Sequence, residues 1–69
     1  MGIRARHLYG NALINCINVY HGVICPYERD LIGLTTEEFI DVIDLFLDAA
    51  DGQYTIDADG NWYEEGRMI

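Results

Sequence analysis

The segment from Leu34 to Gly52, LTTEEFIDVIDLFLDAADG, carries the plainest pattern in the chain. Its apolar residues from Phe39 to Ala50 recur with helical periodicity. Thr35 followed three residues later by Glu38 makes a capping box, in which each side chain accepts from the other's backbone amide. Leu34 and Phe39 flank that box as a hydrophobic staple, and Gly52 supplies a closing residue at C′. Start, stop and period agree on a helix over about Thr36 to Ala50.

A second helix is expected from Asn11 to His21, NALINCINVYH. Asn11, Asn15 and Asn18 fall at helical intervals, and Leu13, Cys16, Ile17 and Tyr20 line another face. Asn11 would cap its start and Gly22 would end it. Ile14, Ile17 and Val19 argue against, since β-branched residues favour strands. From Gly22 to Gly33 the chain reads as a connection interrupted by Pro26, which biases Cys25 away from helix.

The tail QYTIDADGNWYEEG, about residues 53–65, reads as a β-hairpin. A turn over Asp57, Ala58, Asp59 and Gly60 places glycine where a left-handed residue is needed, and that register sets Ile56 opposite Trp62. At the other end, Ile3, Ala5, His7 and Tyr9 alternate with Arg4, Arg6 and Leu8, which reads as a short strand or as a frayed arm. The expected fold is α+β: two helices, a C-terminal hairpin and that short N-terminal element, in one small domain of 69 residues.

Size and composition sharpen this picture. A single core in a chain of this length contributes little stability, so small folds lean on disulfides, metals or oligomers. Yet 51% of the residues are hydrophobic, which excludes disorder. No run approaches the ~18 apolar residues of a membrane span, and residues 1–10 hold no apolar stretch of signal-peptide type. Cys16 and Cys25 therefore read as free thiols rather than a disulfide, and the expected location is a cytoplasm.

Charge is where the sequence departs from the ordinary. Twelve Asp and Glu face four Arg, with no Lys, for a formal net charge of −8. Such a balance repels nucleic acid and anionic membrane, and attracts basic protein surfaces or cations. On the long helix, at about 100° per residue, Glu37, Asp41, Asp44, Asp48 and Asp51 fall within about 80° of one another. The apolar residues occupy the remaining arc of roughly 220°. A solvated face accounts for polarity, but not for a single sign. Asp41, Asp44 and Asp48 repel one another with no basic residue on the same face, and Asp48 and Asp51 stand at the negative end of the helix dipole. Departures from stability rules in one direction tend to mark functional surfaces.

The stripe extends over about 21 Å at 1.5 Å per residue, a charge every ~5 Å, the same order as the phosphate step along a DNA strand. Asp57, Asp59, Glu64 and Glu65 on the hairpin would extend it as a second row. In size, acidity and lack of catalytic equipment the chain resembles small phage-encoded inhibitors that mimic DNA, including some anti-CRISPR proteins. That resemblance is one of class and covers no diagnostic motif. It implies a basic, nucleic-acid-binding protein as partner, with no direct contact to nucleic acid or membrane. A homodimeric structural or adaptor protein, acidic only for solubility, is the competing expectation. The wide apolar arc favours a homodimer, since a helix on one surface needs an apolar stripe of little over ~100°.

Other chemistries are poorly supplied. With Gly60 at position 6 of a calcium loop, Thr55 and Gly66 would fill positions 1 and 12, where Asp and a bidentate Glu are required. Cys16 and His21, five residues apart on a helix, would point about 140° away from each other, and no paired-cysteine zinc motif is present. Without Ser or Lys, serine nucleophiles and Schiff bases are absent. The sequence thus implies no enzyme, metal or cofactor, with weak divalent-cation binding at the stripe as a third reading.

Overall fold

The computed structural model describes residues 2–26 and 31–69, so residues 27–30 of the expected connection lie outside the described residues. In chain order it has a 3-10 turn at Ala5–His7, helix α1 at Gly10–Val19 and a π-helical turn at Tyr20–Ile24. Helix α2 at Thr36–Ala50 follows, then strands β1 at Tyr54–Ile56, β2 at Trp62–Glu64 and β3 at Arg67–Met68. The fold is α+β, with two helices preceding an antiparallel sheet in the order β1-β2-β3.

Helix α2 follows its local signals closely. Thr35 accepts from the Glu38 amide at 3.2 Å, and Glu38 accepts from the Thr35 amide at 3.0 Å, closing the capping box. The Thr35 amide, with its hydroxyl as the smaller contribution, holds the Glu38 carboxyl below its usual range. At the other end Asp51 itself takes the left-handed conformation at φ 51°, ahead of Gly52 at 89°.

The first helix departs from expectation at both ends. It begins at Gly10, with Tyr9 as the extended N-cap residue, so Asn11 lies inside the helix rather than capping it. Gly22 does not terminate it. The turn widens, with the Cys25 amide reaching the Tyr20 carbonyl at 2.8 Å, and helical structure ends before Pro26, which lacks an amide donor. Buried Tyr20 stacks on Trp62 at 5.6 Å and meets Phe46 edge-on at 5.4 Å. Tertiary packing of this kind overrides a local stop signal.

The N-terminal segment is neither strand nor arm. The His7 amide bonds to the Arg4 carbonyl and the Leu8 amide to the Ala5 carbonyl, making a 3-10 turn. A period of three puts Ala5 and Leu8 on one face, and both are buried, whereas Tyr9 is 85% exposed. The alternation groups buried Ala5 with exposed His7 and Tyr9, and buried Leu8 with the two arginines, so a period of two does not describe this segment.

The hairpin has the expected register, Ile56 opposite Trp62, with both residues in the core. The Gly60 amide closes the turn on the Asp57 carbonyl at 3.0 Å, and Gly60 has φ 81°. Gly60 also lies against α1 so closely that a Cβ would overlap the Ala12 carbonyl oxygen. Strand β3 was not expected. Glu65 and Gly66, both at positive φ, turn the chain back, pairing Glu64 with Arg67 and Tyr63 with Met68.

The core joins Ala5, Leu8, Cys16, Tyr20, Leu31, Phe39, Ile43, Ile56 and Trp62. Trp62 secures the sheet to α1 through its indole N–H, which donates to the Cys16 carbonyl at 3.0 Å. Cys16 is a buried free thiol, with its pKa pushed up to about 11, chiefly by burial; Cys25 is half-buried and also free. No helix among the described residues is long and apolar enough to cross a membrane.

Candidate functional site: the acidic face of helix α2

The carboxylates of α2 are placed by helix geometry, but their surroundings are set by the N-terminal turn. Taking Phe39 as zero at about 100° per residue, the apolar arc should run from Leu45, through Phe39, to Ile40. The covered arc is rotated from that position. Leu45 is 69% exposed and Ala49 is exposed, whereas the side chain of Asp44, on the acidic side, is only 16% exposed. Residues Arg4 to His7 lie over the Asp44 side of the helix and leave the Leu45 side open.

Four contacts, from three residues, make that cover. The backbone amide of Ala5 donates to Asp44 Oδ1 at 2.7 Å. Arg4 forms an ion pair with Asp48, and its guanidinium also donates to the Asp44 carbonyl at 3.3 Å. Arg6 approaches the other Asp44 oxygen at 4.0 Å. The expectation of a stripe without counter-charge is thereby corrected for Asp44 and Asp48. The counter-charges come from about 40 residues away in sequence, where helical spacing gives no information. Asp41, Asp44 and Asp48 line one groove of about 380 Å³ with Arg4, Arg6 and Leu45. Glu37 and Asp41 are exposed near the start of α2, and Asp51 is exposed at its end.

The hairpin carboxylates do not form a uniform second row. Asp57 is committed to the turn: Oδ1 accepts from the Asp59 and Asn61 amides, and Oδ2 from the Asn61 side chain and the Tyr63 hydroxyl. Burial alone would raise its pKa, but these hydrogen bonds together hold it below the usual carboxylate range. The Asp59 side chain is exposed, while its carbonyl accepts from Asn15 of α1 at 3.1 Å, so the turn is seated on α1 rather than α2. Glu64 accepts from the Tyr54 hydroxyl across the strand pair at 3.0 Å, which raises the Tyr54 pKa. Exposed Glu64 and Glu65 border a separate cleft with Arg67, Met68 and Ile69.

The sequence reading missed three side chains. In the sequence pattern Arg4 and Arg6 fall with Leu8, opposite Ile3, Ala5, His7 and Tyr9, and Asn15 falls with Asn11 and Asn18 at the helical interval. Asn15 instead bridges α1 to the turn, donating to Asn61 Oδ1 at 3.0 Å as well as to the Asp59 carbonyl. The only local hint for the arginines was their spacing around Ala5, a residue small enough to be buried against the helix.

Among the described residues, no group of three or more His, Cys, Asp or Glu side chains is arranged to hold a metal ion. Compared with known protein families, curated proteins and solved structures, the chain matches none.

Proposed function

We propose that this protein is a non-catalytic inhibitor that binds the basic surface of a nucleic-acid-binding protein, setting carboxylates where that surface would meet phosphates. The observation that carries this reading is an excess of exposed carboxylates over the ion pairs found among the described residues. Among the described residues the only side-chain cations of Arg type are Arg4, Arg6 and Arg67. Two of them are already directed at Asp44 and Asp48. Glu37, Asp41, Asp51, Asp59, Glu64 and Glu65 then stand exposed with no ion-pair partner among the described residues. A field of one sign steers association with a basic surface and disfavours contact with nucleic acid or anionic lipid.

Of the two free thiols, Cys16 supports a non-catalytic role. The Cys16 thiol is buried and held protonated to about pH 11, opposite to what an attacking thiolate needs.

The test is capture of partners from a host lysate by the wild-type chain and by an E37Q/D41N/D51N variant. The reading expects a nucleic-acid-binding protein, captured by the wild type and not by the variant, released as salt rises through about 0.1 M, where screening acts beyond ~10 Å. The captured protein's nucleic-acid binding should be blocked by the chain. Capture that ignores both salt and the variant rules the reading out.

A homodimeric adaptor is the second reading, favoured by the exposed apolar side chains of Leu45 and Tyr9. It expects a sedimentation mass twice the 7.9 kDa of the monomer at micromolar concentration and partner binding that is indifferent to salt.

A further inference from the structure

We infer that Arg4 and Arg6 are intramolecular stand-ins for a partner's arginines, occupying Asp44 and Asp48 in the free protein and yielding them when a basic partner binds. This rests on the proposed reading of the acidic face as a receptor for basic surfaces, and adds to it a built-in competitor.

The contacts themselves are those a basic partner would make. A guanidinium on Asp48, a second guanidinium directed at Asp44, and a main-chain amide on Asp44 are the means by which an arginine-bearing segment is held on a carboxylate surface. The chain therefore displays, in cis, the chemistry expected of its ligand.

The segment is also divided into parts that stay and parts that are free to leave. Ala5 and Leu8 are buried in the core, and the Ala5 amide is fixed to Asp44 by a short hydrogen bond. That backbone is an anchor. The two arginine side chains are held differently. Arg6 is 67% exposed and meets Asp44 only at 4.0 Å, whereas the Arg4 side chain is 29% exposed and its ion-pair partner Asp48 is more than half exposed. Ion pairs in that setting are screened and cost side-chain entropy to maintain, so an incoming guanidinium replaces them readily. Beside them the groove is open, with Asp41 and the exposed Leu45 in its wall, so a partner reaches the carboxylates without lifting the backbone. Displacement swings two side chains off the face and leaves the fold unchanged.

The consequence is a threshold. A weakly basic surface does not remove the internal arginines, whereas a dense arginine cluster does, because an occupied site binds with an affinity reduced by the fraction of time it is free.

The probe is a fluorescent oligo-arginine peptide, followed by anisotropy at low salt. The wild type is compared with R4Q/R6Q and with R67E, which change the net charge by the same two units. The inference expects R4Q/R6Q to bind at least about threefold tighter than R67E, by relief of the occupied fraction. Adding D44N/D48N should abolish that gain. Equal affinities for R4Q/R6Q and R67E would show that only net charge matters and would overturn the inference while leaving the acidic-face reading intact. Probe binding that is absent, or unaffected by neutralising any of the carboxylates, would remove both. A measurement on the unaltered protein guards against a variant that folds poorly. With unlabelled peptide at saturation, the side-chain Nε–H resonances of Arg4 and Arg6 should shift while the Trp62 indole N–H stays fixed. Unmoved arginine resonances on a saturated protein also overturn the inference.

Discussion

The backbone amide of Ala5 and the carboxylate of Asp44, 39 residues apart, are joined by a hydrogen bond of 2.7 Å. That one bond changes what the acidic stripe is: Asp44 is a structural residue as well as a surface charge. D44A should therefore destabilise the protein by about 1–3 kcal/mol, the range for losing a hydrogen bond to a charged group and leaving a covered amide unpaired. D48N, losing a partly exposed pair, should cost about 1 kcal/mol, and D41N should be near neutral. Urea unfolding of the three variants checks the order. A D44A as stable as D41N would contradict the assignment.

Gly60 should tolerate no side chain. Its φ of 81° disfavours any L residue, and an added Cβ would overlap the Ala12 carbonyl with the Cys16 amide 3.0 Å away. These are backbone atoms of α1 and have no rotamer to change. G60A is expected to cost on the order of 3 kcal/mol or more, by strain and overpacking together. G66A, also at positive φ but with open space around it, should cost less. Thermal unfolding of the pair separates clash from backbone conformation.

Trp62 is the junction between sheet and helix. W62F keeps an aromatic ring against Tyr20 but removes the indole donor to Cys16. The Cys16 carbonyl still accepts from the Tyr20 amide, so it is not orphaned. The expected loss is about 1–3 kcal/mol, from reduced volume and one hydrogen bond. A neutral W62F in chemical denaturation would show that the indole bond contributes nothing.

Acid should act through Asp57. Its carboxyl is held below the usual range in the folded protein, so it contributes stability above the unfolded value of about 3.9, lost as pH falls through the lower folded value. The same bond raises the Tyr63 pKa, so at the alkaline end that contribution is present below the unfolded value of about 10 and lost as pH rises through the folded one. D57N should flatten the acid limb of a stability–pH curve relative to wild type. Identical acid limbs would refute the turn's role.

Thiol reactivity gives a probe of opening. Cys16 stays protonated to about pH 11 in the fold, whereas an unfolded thiol ionises near ~8.5. Stability linked to Cys16 is thus present below the unfolded value and lost as pH rises through about 11. At mildly alkaline pH, alkylation should be fast at half-buried Cys25 and slow at Cys16, with the slow rate rising in urea. Mass spectrometry of the alkylated chain reads both sites.

The features legible in the residues alone are those whose partners lie close along the chain. Helix α2, its Thr35–Glu38 box, the Gly60 turn and the Ile56–Trp62 register each depend on neighbours within a few positions, where backbone geometry leaves little choice. The Glu65-Gly66 turn into β3 is equally local, with Gly66 as its signal, but the hairpin pattern by itself does not predict a third strand. What the tertiary structure alone decided are contacts made across some 40 residues. Whether Arg4 and Arg6 lie in solvent or on α2, whether Asn15 is solvated or bridges to the hairpin, and whether Gly22 stops a helix all depend on which surfaces meet once the core has formed. Burial of Ala5 against α2 brings the arginines to Asp44 and Asp48, and burial of Tyr20 beside Trp62 accompanies the π-helical turn that carries the chain from α1 past Gly22. Apolar burial is not directional, so a local pattern states how much surface must be covered but not which neighbour covers it. The negative face of α2 was legible in its spacing, whereas its partial neutralisation was decided by the packing of one small alanine.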